Sequence, residues 1–473
     1  MKKYILLLLM LVSLQLWAQY STPGNNGSYT LEDLVDISGG AVTFDMDHYF
    51  FNQDIIISAT DTLNIINNEY LQIGENLLWT IEGVLIIEAP DMSFISNISG
   101  GGKFLGLRFD NSSASLVKNA SFVNAGGIKL IESDVEFDNC SFGNFDIEYS
   151  TGAINIFQSN PIIINSSFTN NEGPAISSGA NSASSPTIIN NLITSNVTGN
   201  ANTPQINLGT YDGSNPIVID SNQISGEFDN AGGIALSTLT GGNIEAFVRY
   251  NEVINNRYGI AMIGSNITGE ISYNYLDGNN IQNDPMLGGS GLNFYGGESN
   301  QLMVHHNIIT NNLWGITIQL NAQPNFGDAL GSSPGHNQIF DNGNSGETYA
   351  LYNNTAGDIL ALNNFWGTET LEQTEDVIFH QADDLSLGEV FYDPIWMPVG
   401  VEEVQQEQMA IYPNPAPDYF IWNGEAGDLH ILDMRGKVLW EGWVEQGEKV
   451  DMDLNTGVYF LQSGDQNIKL IVH

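Results

Sequence analysis

One phrase returns along this 473-residue chain: an Asn, an apolar residue two or three places on, then often Asn-x-x-Gly and another apolar residue. It stands at residues 191–199, 251–260 and 307–316. A recurrence of this kind marks a solenoid, because each repeat leaves an apolar face uncovered until a neighbour stacks on it. The apolar residue after the Asn gives a series of markers: Phe122, Phe142, Phe168, Ile193, Val253, Ile309, Ile339 and Phe365, with Ile224 and Leu276 in the gaps. Their spacing of roughly 20 to 33 residues matches one lap of a three-sided coil with short strands and turns of variable length.

Composition decides between strands and helices. The repeats are crowded with Asn, Gly, Ser, Thr, Ile and Phe, and nearly every candidate helix would hold two or three breakers. Alternating fragments at 152–157, 216–219 and 315–319 fit a pleat that sends every second side chain inward. Asn tolerates the left-handed backbone of a tight corner, and stacked Asn side chains can hydrogen-bond to the coils above and below. An internal Asn ladder is therefore preferred over glycan contact for these residues. Gly127, Gly199, Gly233, Gly259 and Gly315 are expected at the next corner, where positive φ is required.

Residues 1–18 read as a secretory signal peptide, with Lys2 and Lys3, an apolar stretch and Ala18 before the cleavage point. The apolar run is too short for a membrane span, and no second one follows. Residues 19–40 read as an N-terminal cap with a short helix at 31–37, residues 41–367 as the coils, 368–398 as a C-terminal cap, and 399–408 as a polar, acidic linker. With 12 basic against 55 acidic residues the formal charge is −43, which argues against nucleic acid or an anionic membrane as partner. Cys140 is the only cysteine, so the core rather than disulfides must carry stability; its place level with Ala120 and Ser166 makes it a small buried filler.

The last segment, 409–473, alternates without Asn corners and suggests a small β-sandwich. Its phrases Ile411-Tyr-Pro-Asn-Pro415, Leu432-Asp-Met-Arg-Gly-Lys-Val438, Leu454-Asn-Thr-Gly-Val-Tyr-Phe-Leu461 and Lys469-Leu-Ile-Val472 resemble the type A C-terminal sorting domain of the type IX secretion system of Bacteroidetes. That resemblance implies passage through the periplasm and then across the outer membrane, with the type IX machinery as partner of 409–473 and the cell surface or medium as destination. The solenoid resembles the right-handed parallel β-helix superfamily that includes pectate lyases and polygalacturonases. The expected fold class is thus all-β, a right-handed parallel β-helix solenoid followed by a small C-terminal β-sandwich.

Fold resemblance does not transfer chemistry. A polygalacturonase-like pattern is missing: Gly335-His336 is followed by Asn337, the coils hold no Arg-x-Lys, and the Asp383-Asp384 pair falls in the cap. The best catalytic constellation is Arg257 with Asp277, Asp284 and His305, joined by Arg249 and His306, if these stack on a common face. His305 and His306, adjacent on a strand, are expected to point to opposite faces and so not to share an ion. No metal site or cofactor is required, although the turn at 279–284 could take calcium. Tyr258, Phe294, Tyr295 and Trp314 are the aromatic candidates for stacking on sugar.

Two readings of function follow. The first is a secreted or cell-surface, non-catalytic module that binds glycan or serves adhesion; the second is a polysaccharide lyase or glycoside hydrolase acting on extracellular polysaccharide. Export can be tested apart from either: a chain lacking 409–473 should accumulate in the periplasm on cell fractionation, and normal surface display of the truncated chain would contradict the sorting role.

Overall fold

The computed structural model describes residues 19–297, 301–398 and most of 411–472. The expected leader at 1–18 and linker at 399–408 lie outside the described residues, as do residues 433–436 and 455–456 of the last segment. The chain divides into two compact units, residues 1–397 and 398–473. No helix among the described residues is long and apolar enough to cross a membrane.

The first unit is a parallel β-helix. Fourteen strands, from Gln19–Ser21 to Ile378–Phe379, stack in parallel as one long sheet. Two further faces close each coil, as in the coil Pro204–Leu208, Ile217–Asp220, Gln223–Ser225, after which Gly232–Ser237 opens the next. Strands one lap apart pair in register, so identical phases meet. On the third face Phe122, Phe142, Phe168, Ile193, Ile224, Val253, Leu276, Ile309 and Ile339 form one continuous inward column, all buried. The first three rings stack at 5.6 and 4.6 Å, adding to the area they bury.

The last marker is displaced by one residue. Phe365 lies beside Gln338, half-buried, while Trp366 points inward at 1% exposure and closes the column. Asn363 takes the left-handed corner at φ +59, so Asn364 rather than Asn363 is the inward Asn and the phase starts one place later.

Corner and ladder are thus separate jobs on adjacent residues. Asn119, Asn139, Asn165, Asn190, Ser221, Tyr250, Tyr273, His306, His336 and Asn363 hold positive φ, and the residue after each turns into the core. Those inner residues form a ladder from Asn191 through Asn222, Asn251, Asn274, Asn307 and Asn337 to Asn364, each Nδ2 donating to the next Oδ1 at 2.8–3.0 Å. Each Oδ1 also accepts the backbone N–H of the ladder residue one coil back, as Asn274 Oδ1 does from Asn251 N at 3.0 Å. Earlier rungs use Ser166 and Cys140, whose thiol burial pushes up to about 12.

A second ladder runs at the next corner through Asn171, Asn196, Asn256, Asn279, Asn312 and Asn342. One rung has no Asn of its own, because Glu227 stands at that phase and is exposed. Gln205 reaches over from the long sheet instead, accepting from Asn196 Nδ2 at 3.1 Å and donating to Asn256 Oδ1 at 2.9 Å. The expected role of the glycines changes too. Of the five, only Gly127 has positive φ; at Gly233, Gly259 and Gly315 a Cβ would instead lie 2.3–2.5 Å from a carbonyl oxygen of the next coil. Close stacking, not handedness, excludes a side chain there.

The N-terminal end is covered by the helix Leu31–Ile37, started by a capping box between Thr30 and Asp33, with Leu31 and Leu34 buried against the core. Within the expected C-terminal cap at 368–398 the one helix is Leu371–Glu375. The second unit is a small sandwich: a three-stranded antiparallel sheet of Ile411–Tyr412, Tyr419–Trp422 and Lys449–Asp451, and a four-stranded one of Gly427–Leu432, Val438–Val444, Gly457–Ser463 and Gln466–Val472. Phe420, Trp422, Leu429, Ile431, Leu461 and Leu470 fill its core.

Replacing Asn274 by Ala leaves the Asn251 N–H and Nδ2 without their acceptor, so a loss of about 1–3 kcal/mol is expected in chemical denaturation. Gln223→Ala, exposed on the same face, should stay within about 0.5 kcal/mol. Acid adds a second test. Asp328 is 8% exposed; burial would raise its pKa, but Asn325 Nδ2 and the N–H groups of Ser333, Ser332 and Leu330 outweigh that and hold it at about 2. Its contribution is present above the unfolded value of about 3.9 and is lost as pH falls towards 2. The unfolding midpoint of Asp328→Asn should therefore fall less steeply than wild type between pH 4 and 2, and equal slopes would contradict this.

Candidate functional site

The outer side of the long sheet carries two columns of side chains. One runs Asn207, Ala235, Ala261, Asn293, Thr317, Tyr352, Phe379; the other includes Ile263, Tyr295 and Gln319. Near the C-terminal end of the solenoid these columns change from small residues to aromatics and amides. Trp314, at the start of Trp314–Leu320, packs at 4.6 Å from Tyr349 and 5.2 Å from Tyr352, and Tyr352 stacks on Phe379 at 4.8 Å. Trp314 Nε1 donates to Pro285 O at 3.0 Å, which fixes the indole against the loop at 278–289.

Between that loop and the aromatics lies a pocket of about 310 Å³, lined among others by Trp314, Tyr352, Asn293, Thr317, Gln319 and Asn354. Asn293 Oδ1 is buried and has no hydrogen-bond partner, an acceptor left for something other than the protein. Met286 and Leu287 form an exposed apolar lip at 85% and 55% exposure. No carboxylate, imidazole or cation lines this pocket.

The sequence candidates fall on separate faces. Arg257 is 8% exposed and donates from Nη1 to Asn202 Oδ1 and from Nη2 to the Leu287 carbonyl, so it ties down the pocket's wall. Asp284 serves the same wall, accepting from Met286 N at 3.0 Å. Asp277 lies on the third face, bonded to Asn311 Nδ2 at 2.8 Å and Tyr275 Oη at 3.2 Å. His305 lies on the second face, and Arg249, two coils before it, is paired with Asp220 at 3.2 Å. Arg249 and His305 share a column of the second face, but Asp277 lies past one corner and Arg257 and Asp284 past the next, so the five do not form a common face. Tyr295 and Trp314 are on the long sheet, Tyr258 lies across Gly232 with its phenol pushed by burial up to about 12, and Phe294 is in the core at 1% exposure. Asn293 and Tyr352, on strands of the long sheet, and Tyr349 beside them were silent in the sequence, since alternation alone does not tell which outward residues line a pocket.

The histidines are also arranged differently from the expectation. The strand Gln301–His305 ends at His305, and His306 takes the left-handed corner at φ +54, so the strict alternation stops between them. Both rings turn the same way: His305 Nδ1 and His306 Nδ1 are 2.9 Å apart, and His306 Nε2 is 3.3 Å from His336 Nδ1. Glu270 Oε1 lies 3.3 Å from His305 Nε2. Burial lowers the pKa of both His305 and His306 below the ordinary imidazole value, with Glu270 opposing it. Among the described residues no group of three or more His, Cys, Asp or Glu side chains is arranged to hold a metal ion.

Residues 410–473 match the family described as the secretion system C-terminal sorting domain. The sandwich is therefore a type IX sorting tail, and the chain is built for export to the cell surface or beyond. No curated protein matches the chain. Among solved structures it is similar to the periplasmic alginate epimerase AlgG: to a double mutant at 15% identity and a TM-score of 0.43, over 79% of this chain and 84% of that one, and to a single mutant at 14% and 0.37, over 78% and 84%.

Proposed function

We propose that this β-helix, exported under its sorting tail, is a non-catalytic glycan-binding or adhesion module of the cell surface or the medium, reached by way of the periplasm. The observation that supports it is the pocket on the long sheet. An indole and a phenol ring stand beside the amides of Asn293, Gln319 and Asn354 and the hydroxyl of Thr317. Flat rings next to a few fixed hydrogen-bonding groups suit the apolar face and the hydroxyl edge of a neutral sugar. The unpartnered Asn293 Oδ1 fits a sugar hydroxyl as donor.

The alternative, a lyase or hydrolase, needs a positioned acid and base beside the bound sugar. The pocket offers neither, and Arg257 with Asp284 is spent on holding the wall. Binding without cleavage is the better account of these groups. Calcium is not required by it.

The purified mature chain should bind at least one neutral polysaccharide in an affinity-electrophoresis panel. Trp314→Ala and, without disturbing the ring packing, Gln319→Ala should each weaken that binding about tenfold or more. Binding untouched by both variants, or release of new reducing ends or unsaturated products at enzymatic rates, would contradict the proposal.

A further inference from the structure

The corner column of the second face changes character along the solenoid. Four successive coils place Asn119, Asn139, Asn165 and Asn190 at the left-handed position, yet later coils place Tyr250, Tyr273, His306 and His336 there. Positive φ is uncommon for such side chains, and for bulky ones it is a true outlier, so their retention asks for a reason. Tyr250 stacks on Tyr273 at 4.8 Å, Tyr273 on His306 at 4.7 Å with only 17° between the planes, and Trp396 covers His336 at 4.9 Å. The two imidazoles are thus held by flanking rings rather than left to rotate.

Their hydrogen bonding fixes which nitrogen carries a lone pair. Glu270 beside His305 Nε2 keeps the proton on that atom, so His305 Nδ1 accepts, and it accepts from His306 Nδ1–H at 2.9 Å. His306 Nε2 is then a lone-pair nitrogen facing His336 Nδ1 across 3.3 Å. A divalent transition ion takes imidazole nitrogens at about 2.0–2.1 Å, so two nitrogens on one ion stand roughly 2.9–3.4 Å apart. A ligating imidazole is usually oriented by a hydrogen-bond acceptor on its other ring N–H, and here His305, itself held by Glu270, takes that place for His306.

We propose that His306 Nε2 and His336 Nδ1 bind one late first-row divalent ion of the Ni²⁺, Cu²⁺ or Zn²⁺ class, with Glu270 and His305 as positioning residues and water in the remaining positions. On binding, the His336 proton moves to its Nε2, and no other proton need leave. Imidazole favours this class of ion, and a hard ion such as Ca²⁺ would find two nitrogens where it needs six or more oxygens. The two-imidazole site differs in place and chemistry from the pocket at Trp314, so either can stand without the other.

The test is calorimetric titration of Ni²⁺ into the tag-free mature chain. One equivalent should bind, with partial quenching of tryptophan fluorescence that Trp396→Phe removes. His306→Asn and His336→Asn restore the residue that other coils carry at this corner, so the fold should be kept; each should weaken binding about a hundredfold or more. His305→Ala should weaken it less, by about tenfold. Stoichiometry well below one, an Asn variant that titrates like wild type, or full competition by equimolar Ca²⁺ would overturn the proposal.

Discussion

The rest of the structure depends on one interaction: the vertical hydrogen bonding of side-chain amides between coils. A corner inside a β-helix brings peptide groups into an apolar core with no strand partner, and each unmet group would cost free energy of the order of a lost hydrogen bond. At the first of the two corners Asn meets that demand at every lap from Asn191 to Asn364. In Asn251, for example, Oδ1 accepts from the N–H and the Nδ2 of Asn222, while Nδ2 donates to Asn274 Oδ1 and to the carbonyl of Ile219. All the polar capacity of the buried amide is used, and every coil is tied to the coil on either side. Gln205 shows how strict the demand is, since a longer amide crosses from another strand where the coil carries Glu227, turned outward, in place of Asn.

With the interior fixed in this way, the outward positions are released from the fold. They lie in straight columns one coil apart, and whatever is placed there becomes a row. Toward the C-terminal end the long sheet gathers Trp314, Tyr352 and amides on its outer side, and a different corner gathers Tyr273, His306 and His336. The sandwich that follows has its own core and two antiparallel sheets, suited to a role in export that is independent of what the coils bind.

Most of the solenoid could be read from the sequence because the Asn phrase and the apolar marker two places later share one cause, the inward turn after the corner. Where a double Asn occurred, as in Asn363-Asn364, the phrase could not tell the left-handed residue from the inward one, and the marker slipped from Trp366 to Phe365. Gly127 does hold positive φ, but Gly233, Gly259 and Gly315 were misassigned, because backbone crowding between coils leaves no trace in a single coil's turn chemistry. The site was less legible. Alternation predicts opposite faces for His305 and His306 only while the strand continues, and the corner ends it. Arg257 and Asp284 looked like chemistry, yet their partners are Asn202, Leu287 and Met286, contacts set by how a long turn folds back.

If the amide ladder is what joins the coils, its backbone hydrogens must be as protected as those of the strands. Native-state hydrogen exchange followed at the N–H groups of Asn222, Asn251, Asn274 and Asn307 tests this most directly, since in an ordinary surface corner they would exchange within the mobile range. The account predicts protection at these corners equal to that of Val253 and Ile309 beside them. Fast exchange at the ladder with slow exchange in the strands would contradict it.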